Sequence, residues 1–176
     1  NIIFIKTKNT RERLAEISSK YFKKKPKNII AVTGTNGKTS VSDFFHQIFR
    51  LNKKPVGLLG TLGFKINNNL KKRKLTTLDS LSLHEDLEEM KKSKIDNVII
   101  EASSHGLAQK RLDFLNIKSG IFTNLSHDHL DYHKNMQNYF SAKLILFKKL
   151  LKKNSIMITD SEIKEYPALK RLQKKR

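Results

Sequence analysis

The sequence lacks cysteine and tryptophan, and it contains only 3 prolines and 7 glycines. Without cysteine, the chain has no disulfide framework, no cysteine-ligated zinc site and no cysteine nucleophile. It also lacks any apolar run near the roughly 18–20 residues that cross a bilayer, and its first residues lack the basic flank and cleavage site of a signal peptide. We therefore expect no association with a membrane.

Acidic residues are scarce as well, with 16 Asp and Glu against 36 Lys and Arg, a formal net charge of +20. Such a charge favours binding to the phosphate backbone of nucleic acids. The basic residues occur in scattered runs, however, without interleaved aromatic residues for base stacking. A solvated lysine-rich surface and attraction of a small polyanionic substrate are the alternatives, and we expect no nucleic-acid partner.

What is present is one domain's length of chain, 176 residues of which 38% are hydrophobic. That length is sufficient to bury a core. The chain begins with Asn1 instead of methionine, so we expect a processed or truncated product. Pro26, inside the lysine-rich segment 23–27, indicates a linker and the best internal boundary.

The apolar pattern predicts short strands that alternate with amphipathic helices. Strands are predicted at residues 2–5, 28–32, 56–59, 97–100, 120–123 and 155–159, and helices at residues 11–22, 41–51, 82–94 and 135–151. Short unalternating strands separated by helices are typical of a parallel sheet covered on both faces. We therefore predict a doubly wound, mostly parallel α/β domain, whose ligands bind beyond the carboxyl ends of the strands.

Helical spacing predicts which side chains face the core. The residues expected inside are Leu14, Ile17 and Tyr21 on the first helix, Phe44, Phe45, Ile48 and Phe49 on the second, Leu83, Leu87 and Met90 on the third, and Met136, Tyr139, Phe140, Phe147 and Leu150 on the fourth. Lys143 falls on this last stripe. An inward lysine must be neutralised, paired or used chemically, whereas a lysine at the edge of a stripe extends its amine to water.

The segment 33–40, Thr-Gly-Thr-Asn-Gly-Lys-Thr-Ser, lies between a predicted strand and a predicted helix. Glycines let backbone N–H groups turn inward around phosphate oxygens, and the helix N-terminus adds partial positive charge. In this arrangement Lys38 reaches the β- and γ-phosphates of a nucleotide and the Thr39 hydroxyl holds Mg²⁺. Val32 occupies the first glycine position of the G-x-x-x-x-G-K-[ST] pattern, so the match is incomplete. The segment still predicts a phosphate-binding loop.

Polar residues follow two other predicted strands. Glu101 comes directly after residues 97–100, where phosphate-loop enzymes often carry an acid directed at Mg²⁺. The run His-Asp-His-Leu-Asp-Tyr-His, at residues 127–133, follows the strand at 120–123. It nearly matches the H-x-H-x-D-H metal-binding run of metallo-β-lactamase-like hydrolases, but Tyr132 stands in place of the third histidine. A metal-dependent hydrolase is therefore an alternative.

Together, these motifs resemble those of the Mur ligases, the ATP-dependent amide-forming enzymes of peptidoglycan precursor synthesis. The family's central domain carries the T-G-T-N-G-K-T loop present at residues 33–39. Its members that add diaminopimelate typically show T-T-P-D-S, E-x-S-S-H-G-L-x-Q-x-R and N-L-[ST]-x-D-H-L-D-Y-H, which correspond to residues 76–80, 101–111 and 124–133. The resemblance extends from about residue 10 to about residue 160.

The resemblance implies roles for individual residues. ATP would be bound by Gly34, Thr35, Asn36, Gly37, Lys38, Thr39 and Ser40. Catalysis and Mg²⁺ binding would involve Lys38, Thr39, Glu101, His129 and Lys143, the last as a carbamylated lysine that resembles a carboxylate. The UDP-muramoyl-dipeptide would contact Thr76, Thr77, Ser103, Gln109 and Arg111. Three residues depart from the usual pattern: Leu78 replaces a proline, His127 an arginine and Ser40 a threonine.

The reaction implied by the resemblance joins meso-diaminopimelate to UDP-N-acetylmuramoyl-L-alanyl-D-glutamate. The D-Glu side-chain carboxylate attacks the γ-phosphate of ATP, and the incoming amine then displaces phosphate from the acyl phosphate. A lysine-adding Mur ligase and the folylpolyglutamate and cyanophycin-type ligases are the closest alternatives.

The resemblance also implies a cytoplasmic monomer with a particular domain organisation. Residues 1–26 would end an N-terminal UDP-binding domain, and residues 27–176 would form part of the ATP-binding central domain, with the C-terminal domain absent. We expect such a fragment to be a weak ligase or no ligase.

Overall fold

A computed structural model of the chain describes Phe4 and residues 6–174. Its strands are β1 (Asn28–Thr33), β2 (Val56–Gly60), β3 (Gly63–Ile66), β4 (Asn69–Lys71), β5 (Asn97–Glu101), β6 (Ile117–Phe122) and β7 (Leu151–Thr159). They form one sheet in the order β4-β3-β2-β5-β1-β6-β7. The strand predicted at residues 2–5 lies outside the described residues except for Phe4, which is not in a strand.

The helices alternate with the strands along the chain. They are α1 (Thr10–Tyr21), α2 (Lys38–Leu51), α3 (Ser80–Lys92), α4 (Ser104–Ala108), α5 (Leu130–His133), α6 (Met136–Ile145) and α7 (Tyr166–Lys174). A π-helical turn, Leu146–Leu150, continues α6 up to the start of β7. Within the described residues, no helix has the length and apolar character to span a membrane.

Five neighbouring strands of the sheet, β2-β5-β1-β6-β7, pair in parallel. The strands β3 and β4 add an antiparallel edge next to β2. In β5, Val98 and Ile100 belong to the larger apolar cluster, whereas Ile99 belongs to a second cluster. Successive side chains of a strand point to opposite faces, so the clusters lie on the two sides of the sheet. Phe45 of α2 packs on the second cluster and Leu87 of α3 belongs to the first. The predicted doubly wound α/β fold is confirmed.

The N-termini of α1 and α3 are capped by short polar side chains. The Asn9 side chain accepts a hydrogen bond from the Glu12 amide at 3.0 Å, ahead of α1. The Asp79 carboxylate accepts one from the Ser82 amide at 3.1 Å, ahead of α3. Each cap satisfies an amide that has no partner inside its helix. The caps therefore set where α1 and α3 begin.

The β3–β4 hairpin and three short helices (α4, α5 and α7) are absent from the sequence prediction. The hairpin strands have 4 and 3 residues, and β4 is exposed along its whole length. Its residues therefore carry no apolar alternation from which a strand could be predicted. The strands predicted at 120–123 and 155–159 begin earlier than predicted, as β6 and β7, because the sheet already pairs Ile117 with Leu151.

The predicted inner face of α1 is wrong. Leu14, Ile17 and Tyr21 are exposed, and the buried residues are Ala15 and Ser18. The helix packs against α3. Small side chains let two helices approach closely, and this contact turns the large apolar residues of α1 away from the core.

For α2 the prediction is wrong in part, because Phe44 and Ile48 are 61% and 57% exposed. Its fully buried residues are Ser42 and His46. By contrast, the predicted inner residues of α3, Leu83, Leu87 and Met90, are all buried, so that prediction is confirmed.

Candidate functional site

A polar cavity of about 280 Å³ lies beyond the carboxyl ends of β1, β2 and β5. Its lining combines the phosphate loop with residues from several other loops: Thr35, Asn36, Gly37, Lys38, Thr39, Ser40, Thr61, Thr76, Glu101, Ser103, Ser104, His129, Tyr139 and Lys143. The cavity is therefore where the chain positions most of the residues expected to act on ligands. Four expected residues, Gly34, Thr77, Gln109 and Arg111, are not in its lining.

The phosphate loop turns between β1 and α2 at two glycines with positive φ. Gly34 has φ of 148°, and a Cβ on it would lie 1.8 Å from the Thr123 hydroxyl oxygen. Gly37 has φ of 81° and precedes the first residue of α2. The loop thus needs glycine at 34 for close approach to Thr123 and at 37 for its backbone conformation. It leads into the N-terminus of α2, whose unpaired N–H groups favour an anion.

The Lys38 amine folds back over this loop. It donates hydrogen bonds to the carbonyl oxygens of Gly34 at 3.0 Å and Thr35 at 2.8 Å. Burial lowers the pKa of Lys38, and the charges of Glu101 and Asp128 act in the opposite direction. The amine therefore lies at the cavity wall, where phosphate oxygens would replace the two carbonyls as acceptors.

Glu101 ends β5 and is fully buried. Its carboxylate accepts hydrogen bonds from the Thr39 hydroxyl at 3.0 Å, the Thr61 amide at 2.9 Å and the Thr61 hydroxyl at 3.1 Å. Gly60 makes room for it, because a Cβ there would lie 2.2 Å from the Glu101 Oε1 atom. The carboxylate is thus held in one orientation, close to the phosphate loop.

These contacts fit a bound Mg²⁺ ion. Mg²⁺ prefers oxygen ligands, and the Thr39 hydroxyl and the Glu101 carboxylate supply two of them 3.0 Å apart. The hydrogen-bond partners of this buried carboxylate within residues 6–174 are neutral donors, so a cation would compensate its charge. His129 and Lys143 line the same cavity. That His129 and Lys143 bind Mg²⁺ stays a prediction.

Lys143 points inward, and only 1% of it is exposed. Its amine donates to the Gly34 carbonyl at 2.7 Å and lies 4.2 Å from the centre of the Tyr139 ring. Burial lowers the pKa of Lys143 to about 7, with a further contribution from the positive charge of Lys38. The prediction of an inward lysine is confirmed, and extension of the amine to water is excluded.

The structure adds three residues to the cavity that the sequence reasoning missed: Thr61, Ser104 and Tyr139. The Tyr139 hydroxyl lies 3.2 Å from the Thr35 hydroxyl, which in turn accepts a hydrogen bond from the Ser126 amide. Tyr139 precedes Lys143 by one helical turn, and this i, i+4 spacing could have indicated that the two side chains lie together. Thr61 directly follows a buried strand, a position that could have indicated a place at the ligand site.

His105 and three residues of the 127–133 run form an aromatic group. The His105 ring packs against the rings of His129, Tyr132 and His133 at centroid distances of 4.8, 4.2 and 5.5 Å. Among residues 6–174 and Phe4, no group of three or more His, Cys, Asp or Glu side chains is arranged to hold a metal ion. The geometry therefore gives the metal-dependent hydrolase no support.

The residues expected to contact the muramoyl substrate form a network with one another. The Thr77 hydroxyl donates to the Glu101 carbonyl at 2.8 Å and lies 2.9 Å from the Ser103 hydroxyl. The Arg111 guanidinium donates to the Thr77 carbonyl at 2.6 Å and to the Gln109 side-chain oxygen at 2.6 Å. This network joins the loop before α3 to the segment around α4. Ser103, which belongs to this network, and Thr76 both line the cavity.

Comparison with known proteins gives consistent matches. The model of the Mur ligase middle domain matches residues 32–176. A UDP-N-acetylmuramoyl-L-alanyl-D-glutamate–2,6-diaminopimelate ligase of Rickettsia bellii is 42% identical over 173 residues, covering 96% of this chain and 36% of that protein. The ligase of the same name from Wigglesworthia glossinidia brevipalpis is 42% identical over 152 residues, covering 85% of this chain and 31% of that protein. The chain thus spans about a third of the length of these relatives.

Comparison with solved structures also gives matches, including one to a ligase. A structure of a UDP-N-acetylmuramoyl-L-alanyl-D-glutamate–2,6-diaminopimelate ligase superimposes with a TM-score of 0.83 at 34% identity, covering 94% of this chain and 34% of that one. The apo form of L. casei FPGS superimposes with a TM-score of 0.70 at 13% identity, covering 99% of this chain and 48% of that one. The second likeness concerns the fold alone.

Proposed function

The chain belongs to the Mur ligase family, and we propose that it provides the ATP-binding part of a ligase that adds meso-diaminopimelate to UDP-N-acetylmuramoyl-L-alanyl-D-glutamate. In this proposal residues 27–176 belong to the central domain, and residues 1–26 end a domain that holds the UDP group. A relative with diaminopimelate in its name, which aligns with 96% of this chain, supports the assignment.

The observation that carries the proposal is the position of Lys143 over the phosphate loop. A fully buried lysine amine 2.7 Å from the Gly34 carbonyl is costly for a structural role, since burial disfavours its charged form. A pKa near 7, which burial produces, leaves a substantial neutral fraction of the Lys143 amine at neutral pH. The nitrogen of a neutral amine can attack the carbon of carbon dioxide and lose a proton to water, which leaves a carbamate anion. We propose that Lys143 acts in this carbamylated form, as a carboxylate-like group.

The phosphate loop would orient ATP in the cavity. The N–H groups of residues 34–40 and the N-terminus of α2 would hold the phosphates, and the Lys38 amine would exchange the carbonyls of Gly34 and Thr35 for phosphate oxygens. Thr39, Glu101, His129 and the carbamate of Lys143 would hold Mg²⁺. The bound ion would neutralise negative charge that develops on the γ-phosphate.

The muramoyl substrate would approach from the side of Thr76 and Ser103. Its D-Glu carboxylate is the nucleophile, and its attack on the γ-phosphate gives an acyl phosphate and ADP. The amine of diaminopimelate then attacks the acyl carbon, and phosphate leaves as the amide forms. Thr77, Gln109 and Arg111 would position the loop that carries Thr76, through the hydrogen bonds that join them.

Calorimetric titration with ATP in the presence of Mg²⁺ tests this function. We expect the unsubstituted chain to bind ATP and Lys38→Met to bind it at least about tenfold more weakly, since one charge-assisted contact with phosphate is lost. Lys54→Met, at an exposed lysine beyond the other end of α2, is the matched control. Failure of the unsubstituted chain to bind ATP, or equal binding by Lys38→Met, would overturn the proposal.

Carbamylation of Lys143 has a separate test. Incubation with ¹³C-labelled bicarbonate should give a carbamate signal in the ¹³C NMR spectrum of the chain. The signal should be missing from Lys143→Met and retained by Lys164→Met, which alters an exposed lysine. A signal of equal intensity in Lys143→Met would show that the carbamate forms elsewhere.

A further inference from the structure

Thr61, the residue that follows β2, donates two hydrogen bonds to one carboxylate. Its amide donates to Glu101 Oε1 at 2.9 Å, and its hydroxyl donates to Glu101 Oε2 at 3.1 Å. Each oxygen of Glu101 is therefore bound by a different group of the same residue. Such a two-point contact restricts rotation of the carboxylate, which a single hydrogen bond would leave free.

The Thr61 hydroxyl also connects Glu101 with the loop before α3. Its oxygen lies 3.1 Å from the Thr76 hydroxyl oxygen. A carboxylate accepts hydrogen bonds, so the one hydroxyl hydrogen of Thr61 goes to Glu101. Thr76 must then be the donor to Thr61. The result is a directed chain of hydrogen bonds from Thr76 through Thr61 to Glu101.

A second contact joins the same loop to the main chain of Glu101. The Thr77 hydroxyl, which is buried, donates to the Glu101 carbonyl oxygen at 2.8 Å. Thr76 is thus linked to the Glu101 carboxylate through Thr61, whereas the adjacent Thr77 is bound directly to the Glu101 carbonyl. Any shift of the Glu101 side chain will alter the first of these contacts and leave the second in place.

We propose that Thr61 is a positioning residue. It orients Glu101 for a divalent cation, and it transmits a shift of the Glu101 carboxylate to Thr76. This inference rests on the proposed function, because it takes Glu101 as a cation ligand. In metal sites, the ligands are themselves oriented by hydrogen bonds from neighbouring residues, and loss of such a neighbour weakens metal binding. Thr61 would be a neighbour of this kind for Glu101. Thr61 acts without touching the cation itself.

The test uses the full chain with Mn²⁺ as the probe and AMP-PNP as the nucleotide. Thr61→Val removes the hydroxyl and keeps the amide and the branched side chain, while Thr61→Ser keeps the hydroxyl. Thr10→Val, at the exposed start of α1, is the matched control. Mn²⁺ affinity is measured by electron paramagnetic resonance, and hydrogen–deuterium exchange follows residues 72–79 with and without Mn²⁺.

We expect Thr61→Val to weaken Mn²⁺ binding by about 10- to 100-fold and Thr61→Ser to restore most of it. Mn²⁺ should change amide exchange at residues 72–79 in the unsubstituted chain and in Thr61→Ser, but not in Thr61→Val. If the role of Thr61 were purely structural, Thr61→Val would change neither the Mn²⁺ affinity nor this response of amide exchange to Mn²⁺.

Unchanged Mn²⁺ affinity in Thr61→Val, in a chain that still binds AMP-PNP, overturns the role of Thr61 and leaves the proposed function intact. A serine variant as weak as the valine variant also overturns it, since the hydroxyl would then not be the group responsible. If the unsubstituted chain binds no AMP-PNP, the proposed function itself is wrong. The outcomes are therefore distinguishable.

Discussion

Lys38 and Lys143 donate hydrogen bonds to the same acceptor, the carbonyl oxygen of Gly34, at 3.0 and 2.7 Å. They reach it from different elements, since Lys38 begins α2 and Lys143 lies near the end of α6. Burial lowers the pKa of both amines, and the charge of Lys38 lowers that of Lys143 further. The fold thus concentrates cationic groups at a loop suited to phosphate and makes one of the two amines easy to deprotonate.

The stability of the chain should depend on pH through Lys143. Folding lowers the pKa of this amine from 10.5 to about 7, chiefly by burial, so between these values only the unfolded chain keeps the proton. Stability contributed at this site should therefore rise with pH from about 7 to about 10, by at most about 1.4 kcal/mol per pH unit, and be flat below. Urea unfolding of the unsubstituted chain and of Lys143→Met in bicarbonate-free buffer gives this contribution as a difference.

Lys164→Met, at an exposed lysine, serves as the control for that measurement. Its difference from the unsubstituted chain should stay nearly constant across the same pH range. A constant difference for Lys143→Met as well would contradict the depressed pKa of Lys143.

The two phosphate-loop glycines should differ in their tolerance of alanine. In Gly34→Ala the new Cβ meets the Thr123 hydroxyl oxygen at 1.8 Å, whereas in Gly37→Ala the nearest atoms are 3.9 Å away. Gly34→Ala combines overpacking with backbone strain, and we expect a loss of about 3–5 kcal/mol. Gly37→Ala suffers strain alone, about 1–2 kcal/mol. Urea unfolding compares them, and equal losses would argue against the close approach at Gly34.

Arg73 and Asp86 form an ion pair that anchors the loop between β4 and α3. Arg73 Nε donates to Asp86 Oδ2 at 3.1 Å, and a second guanidinium nitrogen contacts the other oxygen. Asp86 is 1% exposed, and burial raises its pKa despite the opposing effect of Arg73. Arg73→Gln leaves the carboxylate unpaired and should cost about 3–5 kcal/mol. Adding Asp86→Asn should recover much of that loss, because no buried charge remains.

A double-mutant cycle by urea unfolding measures this coupling. The loss caused by Arg73→Gln should also shrink at acidic pH, where protonated Asp86 no longer needs a cation. If the double variant is as unstable as Arg73→Gln, the charge of Asp86 is not the source of the loss.

Leu87 and Ile48 offer a direct comparison of buried and exposed apolar residues on two helices. Leu87 is fully buried in α3, and Ile48 of α2 is 57% exposed. Leu87→Ala should cost about 2–5 kcal/mol through lost burial and a cavity, whereas Ile48→Ala should stay within about 0.5 kcal/mol. Thermal or urea unfolding gives both values. A large loss for Ile48→Ala would indicate that another part of the molecule covers α2.

Much of the sheet could be predicted from the sequence, because its central strands are buried on both faces. A strand that is buried on both faces needs an unbroken apolar run, such as residues 98–100, and few other structures of that length need one. The hairpin of β3 and β4 could not be predicted in this way. Its exposed strand β4 is held by pairing with β3, a contact that leaves no apolar period in the sequence.

The inner faces of the helices could be predicted only where the helix meets the core through large side chains. For α3 that condition holds, and Leu83, Leu87 and Met90 are buried. On α2 the fully buried residues are Ser42 and His46, and Phe44 faces outward. Periodicity identifies an apolar stripe but not which neighbour, if any, will cover it.

For the candidate site, the sequence was enough to predict a phosphate-binding loop, since glycine, lysine and threonine at residues 34–39 have few other uses in that order. It also placed Lys143 on an inner helical stripe. The packing of the fold brings the Lys143 amine to Gly34, 109 residues away, and Thr61 to Glu101, 40 residues away. Contacts of this kind depend on how strands and helices pack in three dimensions, and local sequence patterns do not specify that packing.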